Sequence, residues 1–150
     1  MQNRPQVLLD FQVHLDFKVS PAFGSEVAVL LFSIAAPGGD PEYALACSVV
    51  GYTEALGVWE VKVPTETAEH LLADFWSISL DPEAKQVIGV DGTTYSLRLP
   101  SETETEIREI YWWSCYPDGW EVLDPLLRRL ITLAGPRVRR HVDLRQCLKR

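Results

Sequence analysis

Long apolar runs are missing from this chain. The longest, VAVLLFSIAA, is strand-sized and carries Ser33, well short of the roughly 20 residues needed to cross a bilayer. The opening MQNRPQVLLDFQVHLDF has no basic start leading into an unbroken apolar stretch, so no secretory signal is expected. Cysteine is scarce and odd in number: Cys47, Cys115 and Cys147 form no C-x-x-C and no metal-ligand spacing with the three His. They read as reduced thiols of a cytoplasmic protein. PGGDP lacks both the spacing of a phosphate loop and a helix after it, and neither G-x-S-x-G nor H-E-x-x-H occurs. With no catalytic or cofactor signature, no cofactor and no metal are expected, and a binding role is favoured over an enzyme. Internal repeats, low-complexity segments and linkers are also absent.

What is present describes one ordinary domain. The chain has 150 residues, 47% hydrophobic and 23% charged, enough to bury a stable core without staples. We read residues 1–150 as a single globular domain in which 136–150 form a basic C-terminal tail. The net charge of −7 hides a division: 20 acidic against 6 basic residues over 1–127, and 8 basic against one acidic over 128–150. An acidic body disfavours nucleic acid, whose phosphates need a basic footprint. The basic end, RVRRHVDLRQCLKR, is expected to fold back on that body or keep the terminus soluble.

The periodicities predict an α+β fold. FQVHLDFKV alternates, with Phe11, Val13, Leu15, Phe17 and Val19 on one side and Gln12, His14, Asp16 and Lys18 on the other. Residues 27–34 are apolar on both faces and suggest a central strand covered on both sides; 43–52 and 57–63 continue as strands. After Pro64 the period changes. Ala68, Leu71, Leu72, Phe75 and Trp76 form a helical stripe with Thr65 as N-cap. Asp91-Gly92 between β-rich runs signals a hairpin, and 106–116 a further strand. Leu123, Leu126, Leu127, Leu130, Ile131 and Ala134 repeat at helical spacing before Gly135-Pro136, with Asp124 as N-cap and Pro125 at the first helical position. Runs of strands rather than strict alternation with helices imply a mainly antiparallel sheet of about seven strands with two helices on one face.

Candidate sites are few. His14 and Asp16 share a strand face, and Glu66, His70 and Asp74 share a helix face, so either pair, His14/Asp16 or His70/Asp74, could serve a small enzyme or metal-binding domain. Solvated polar faces explain both pairs more simply. SETETEIRE would line Glu102, Glu104 and Glu106 along one strand face, a negative stripe able to steer a basic partner. The densest signal is YWWSCYPDGW. Neighbours on a strand point to opposite faces, so Tyr111 and Trp113 are expected in the core and Trp112 and Tyr116 on the other face, in register with the Glu stripe. Exposed Trp and Tyr beside charge are ingredients of a binding hot spot. Burial of both under a loop or the basic tail is the competing reading, and Trp120 is expected to staple the turn to the final helix.

DGTTYSLRL followed by YWWSCYPDGWEVLDPLLRRLITLAG resembles small bacterial proteins of unassigned function that carry a D-G-T-x-Y-x-L hairpin, a W-W-x-x-x-P-x-G-W-x-x-L seam and a C-terminal helix. The likeness covers about residues 88–135 and is structural in content. In size, acidity and lack of a catalytic signature the chain also resembles immunity proteins of bacterial toxin systems, a likeness that carries over no residue. Together these readings imply a cytoplasmic, non-catalytic protein-binding module. Its partner would be a basic protein, in the immunity case a toxin, or a second copy of itself, and the binding residues Trp112, Tyr116, Glu102, Glu104 and Glu106.

Overall fold

The computed structural model describes residues 9–51, 55–86, 92–100 and 107–147. Six strands form one antiparallel sheet: β1 (Asp10–Pro21), β2 (Glu26–Ala35), β3 (Glu42–Val50), β4 (Ala55–Val63), β5 (Thr93–Pro100) and β6 (Ile107–Trp113). Their order is β4-β3-β2-β1-β5-β6. The first four make a meander. The chain then runs through α1 (Thr65–Trp76) and returns on the other side of β1 with β5 and β6. A one-turn 3₁₀ helix at Trp120–Leu123 leads into α2 (Asp124–Ala134), followed by the short α3 (Pro136–Arg139). The α+β reading therefore holds, with six strands instead of about seven. The extra strand was expected before the Asp91-Gly92 turn, where 87–91 lie outside the described residues and Lys85 and Gln86 are not in a strand.

The helices cover one face of the sheet. Leu15, Phe17 and Val19 of β1 meet Val27, Val29 and Leu31 of β2, then Leu45, Cys47 and Val49 of β3 and Tyr95, Leu97 and Leu99 of β5. Onto this floor pack Ala68, Leu71, Leu72 and Phe75 of α1 and Leu126, Leu127, Leu130, Ile131 and Ala134 of α2. Each large apolar side chain so buried is worth about 1.5–3 kcal/mol. Trp76, the last residue of the expected stripe, is exposed instead. The segment 136–147 folds back on the body through apolar anchors: Val138, Val142, Leu144 and Cys147 are all buried in the same core. Among the described residues no helix is long and apolar enough to cross a membrane.

Both helix starts differ from expectation. Pro64, not Thr65, occupies the N-cap of α1, and no side chain caps it. At α2 the 3₁₀ turn runs straight into the helix, so Leu123 sits at the cap and Asp124 is already helical. The preceding turn is shaped by Gly119 at φ 86°, where Glu121 Oε2 accepts a bond from the Gly119 N–H at 2.9 Å.

Strand β1 carries the largest departure from simple alternation. Val13 pairs with Phe32 but Leu15 pairs with Leu31, so His14 is an extra residue in a β-bulge. A bulge shifts the side-chain period by one. Phe11 and Val13 therefore lie on the face opposite to Leu15, Phe17 and Val19, not beside them.

Candidate functional site

Trp112 is the centre of the aromatic seam, and it is in the core. In the β5–β6 register Tyr95 pairs with Trp112 and Leu97 with Ile110, while Ser96 pairs with Tyr111 and Thr94 with Trp113. Since Tyr95 and Leu97 face the helices, Trp112 does too, and it is 1% exposed. Its ring stacks on Tyr95 (centroids 5.2 Å, planes 8° apart), Tyr116 (5.6 Å) and Phe17 (6.4 Å), and meets Trp120 edge-on (6.4 Å, 80°). Tyr116 is fully buried. The expected partition of the strand is thus inverted: Trp112 and Tyr116 are core, whereas Tyr111 is 52% exposed and Trp113 partly exposed on the outer face. Glu102, Glu104 and Glu106, expected beside them, lie outside the described residues. Trp120 Nε1 donates to the Asp81 carbonyl at 2.9 Å, which ties the segment after α1, as well as the turn, to the seam.

A polar network crosses this aromatic core. The Tyr116 hydroxyl donates to Asp124 Oδ1 at 3.0 Å, and Arg128 Nε donates to Asp124 Oδ2 at 2.6 Å. The Tyr116 N–H donates to the Cys147 carbonyl at 2.9 Å, which pins the folded-back segment against the end of β6. Burial, with the Cys147 thiol and the Asp124 carboxylate close by, holds the Tyr116 phenol neutral far above its usual range. Burial likewise pushes Cys147 up to about 11, even though the Tyr95 hydroxyl favours its thiolate, and it pushes Cys47 up to about 11. Thiols so shifted are poor nucleophiles at neutral pH. The indole Nε1 of Trp112 is buried and, among the described residues, meets no acceptor in full hydrogen-bonding geometry, although it lies close enough to the Cys147 sulfur to favour its thiolate. Hydrogen bonds thus tie β6, α2 and the folded-back segment together through this aromatic core.

The two His–Asp pairs are not assembled. His14, in the bulge, is 8% exposed; its Nε2 lies 2.7 Å from Ser33 Oγ and its ring 5.3 Å from that of Tyr43. It is neither on a solvated face nor beside Asp16, which lies on the outer face 3.6 Å from Lys18 Nζ. On α1, His70 is exposed and Asp74 is held by Arg129 at 2.5 Å. Among the described residues no three His, Cys, Asp or Glu come together as a metal site.

Among the described residues, no helix covers the outer face of the sheet. Its rows follow from the register: Val58, Ser48, Ala28, Lys18, Ser96 and Tyr111 across all six strands, with Glu60, Ala46, Leu30, Asp16, Arg98 and Glu109 beside them. Beyond lie Phe11 and Phe32, whose rings approach to 5.3 Å; Phe32 is buried and Phe11 is 57% exposed. The Tyr111 hydroxyl bonds to Glu109 on this face. The face thus combines exposed aromatic rings, a smooth centre of Ala28, Ala44, Ala46 and Ser48, and the carboxylates of Asp16, Glu26, Glu42, Glu60 and Glu109 against Lys18, Lys62 and Arg98. Alternation alone misses it, because the bulge at His14 is silent in the sequence. The signal that exposes it is the inward set Tyr95, Leu97 and Leu99 of β5, which dictates the facing of its partner β6.

No protein-family model matches the chain, and no curated protein or solved structure matches it significantly.

Proposed function

We propose that this chain is a non-catalytic protein-binding module that takes a basic protein on the outer face of its sheet, in the manner of an immunity-type inhibitor of a basic toxin in the bacterial cytoplasm. The observation that carries the reading is the sheet face that no helix covers among the described residues, with Phe11 and Tyr111 exposed on it. Large rings in a partly acidic surround are the usual anchors of a protein interface. The choice of a basic partner rests on charge: residues 1–127 hold 20 acidic and 6 basic residues, and such a field steers cations toward it. The cytoplasmic setting is supported by Cys47 and Cys147, which are buried as thiols and form no disulfide among the described residues.

The test uses wild type and Phe11→Asp/Tyr111→Asp as baits in host lysate, after both are shown to be folded. A retained protein with many more Lys and Arg than Asp and Glu, lost with the double variant and weakened by added salt, is the expected result. Retention that the double variant leaves unchanged would remove the face. If light scattering instead finds a dimer of the chain itself, broken by the same substitutions, the basic partner is replaced by self-association.

A further inference from the structure

A second charged surface lies on the helical side, away from the sheet face just described. Between α2 and the segment after α3 runs a cleft of about 530 Å³ lined by Arg128, Thr132, Arg139, Arg140, Val142 and Asp143, among others. Its volume falls within the range of small-molecule sites. Arg128 and Thr132 lie one helical turn apart on α2, and Val142 is a buried apolar contact in the wall. Arg128 is already engaged by Asp124. Arg139 and Arg140 pair with no carboxylate among the described residues, and both are exposed.

We infer that this cleft binds a small phosphate-bearing anion, with the guanidinium groups of Arg139 and Arg140 as its principal contacts. Guanidinium forks match phosphate oxygens in bidentate geometry. The size of the ligand follows from the rest of the charge distribution. At physiological salt a charge is felt over about 8 Å, so an anion inside the cleft experiences the arginines. A nucleic-acid strand extending beyond it would have to cross a body with 20 acidic residues among its first 127. Among the described residues, Asp143 is the one carboxylate on the lining and is itself engaged by another group, so the repulsion it adds is partial.

The full chain is titrated calorimetrically with pyrophosphate at about 0.15 M salt. Saturable binding with a Kd below about 1 mM is expected. Arg139→Gln/Arg140→Gln should weaken it by about tenfold or more, because charge-assisted hydrogen bonds are lost. Asp143→Asn should tighten it by about threefold through loss of a like charge. Lys62→Gln removes one positive charge, half that of the arginine pair, from the outer sheet face and should change Kd by less than about twofold, since the distance is screened. The proposal is overturned if pyrophosphate gives no saturable heat with wild type, or if Lys62→Gln weakens binding as much as the arginine pair. A short single-stranded oligonucleotide that outcompetes pyrophosphate would overturn the small-ligand assignment and point to nucleic acid.

Discussion

Replacing Trp112 by alanine separates a core tryptophan from an interface tryptophan. The side chain is 1% exposed and contacts four aromatic rings, three of them stacked and one edge-on. Truncating a buried Trp costs about 3–5 kcal/mol, and favourable ring pairs add about 0.5–1.5 kcal/mol each beyond the area they bury. Rigid rings on four sides cannot collapse into the vacated volume, so the cost belongs at the upper end, about 4–5 kcal/mol. That is a large share of the roughly 5–15 kcal/mol that holds a domain together. At about 2–4 °C per kcal/mol for a chain of this length, the melting temperature should fall by about 8–20 °C. Trp112→Phe retains a stacking ring and removes an indole N–H whose only polar contact among the described residues is the weak acceptor Cys147 sulfur, so it should cost only about 1–2 kcal/mol. Urea unfolding followed by far-UV circular dichroism measures all three proteins, with an unchanged m-value as the check that midpoints can be compared. Tyr111→Ala, at an exposed ring of the same strand, is the internal control and should stay within about 1 kcal/mol of wild type. If Trp112→Ala proved as stable as Tyr111→Ala, the assignment of Trp112 to the core would fail.

Three further outcomes follow from the same geometry. Asp124→Ala should destabilise by about 2–3 kcal/mol, because it leaves the buried Tyr116 hydroxyl without its acceptor; Tyr116→Phe, which removes the donor while Arg128 still holds the carboxylate, should cost about 1 kcal/mol. Urea midpoints compare the two, and equal costs would mean that the hydroxyl–carboxylate bond contributes little. Folding raises the Cys47 and Cys147 thiols from 9.0 to about 11, so between these values the folded chain binds more protons than the unfolded one. Their contribution is then fully present below about pH 9 and lost as pH rises through about 11; Cys47→Val should flatten the decline, and identical pH profiles for variant and wild type would count against it. Gly57, at φ 150°, leaves room for the Arg137 guanidinium, which lies 4.1 Å over the Trp59 ring. Gly57→Ala should displace that stack and cost about 1–2 kcal/mol, more than Arg137→Ala alone if backbone strain contributes.

Much of the fold was legible because its signals are local. The stripe Ala68, Leu71, Leu72, Phe75 and the later one from Leu123 to Ala134 identify the helices, and alternating or apolar runs identify the strands. Run-of-strands order then implies an antiparallel sheet with helices on one side. Legibility failed where the outcome depends on one extra residue. Nothing in FQVHLDFKV distinguishes a regular strand from one with a bulge at His14, since His is at home on a polar face and can also satisfy itself against Ser33 in the interior. Phe11 and Val13 changed sides as a result.

The same limit explains why the sequence of β6 alone points Trp112 to the wrong face. In β6 each face carries charge as well as apolar groups: Glu109 stands between Ile107 and Tyr111, Arg108 precedes Ile110 and Trp112. A strand read alone therefore offers no preference, and the three carboxylates upstream favour an outward face for the residues in phase with them, Trp112 included. Its neighbour removes the ambiguity. In β5, Tyr95, Leu97 and Leu99 alternate with Thr94, Ser96 and Arg98, so only one face can be inward, and antiparallel pairing transmits that facing to Trp112 through Tyr95. A one-residue slip would exchange every side chain of β6 between faces. The cost of exposing Trp112 while burying Glu109 is what locks the register. Which aromatic residues face outward is thus decided by strand pairing: Phe11 and Tyr111 lie on the outer face of the sheet, while Trp112 and Tyr116 are enclosed beneath the helices.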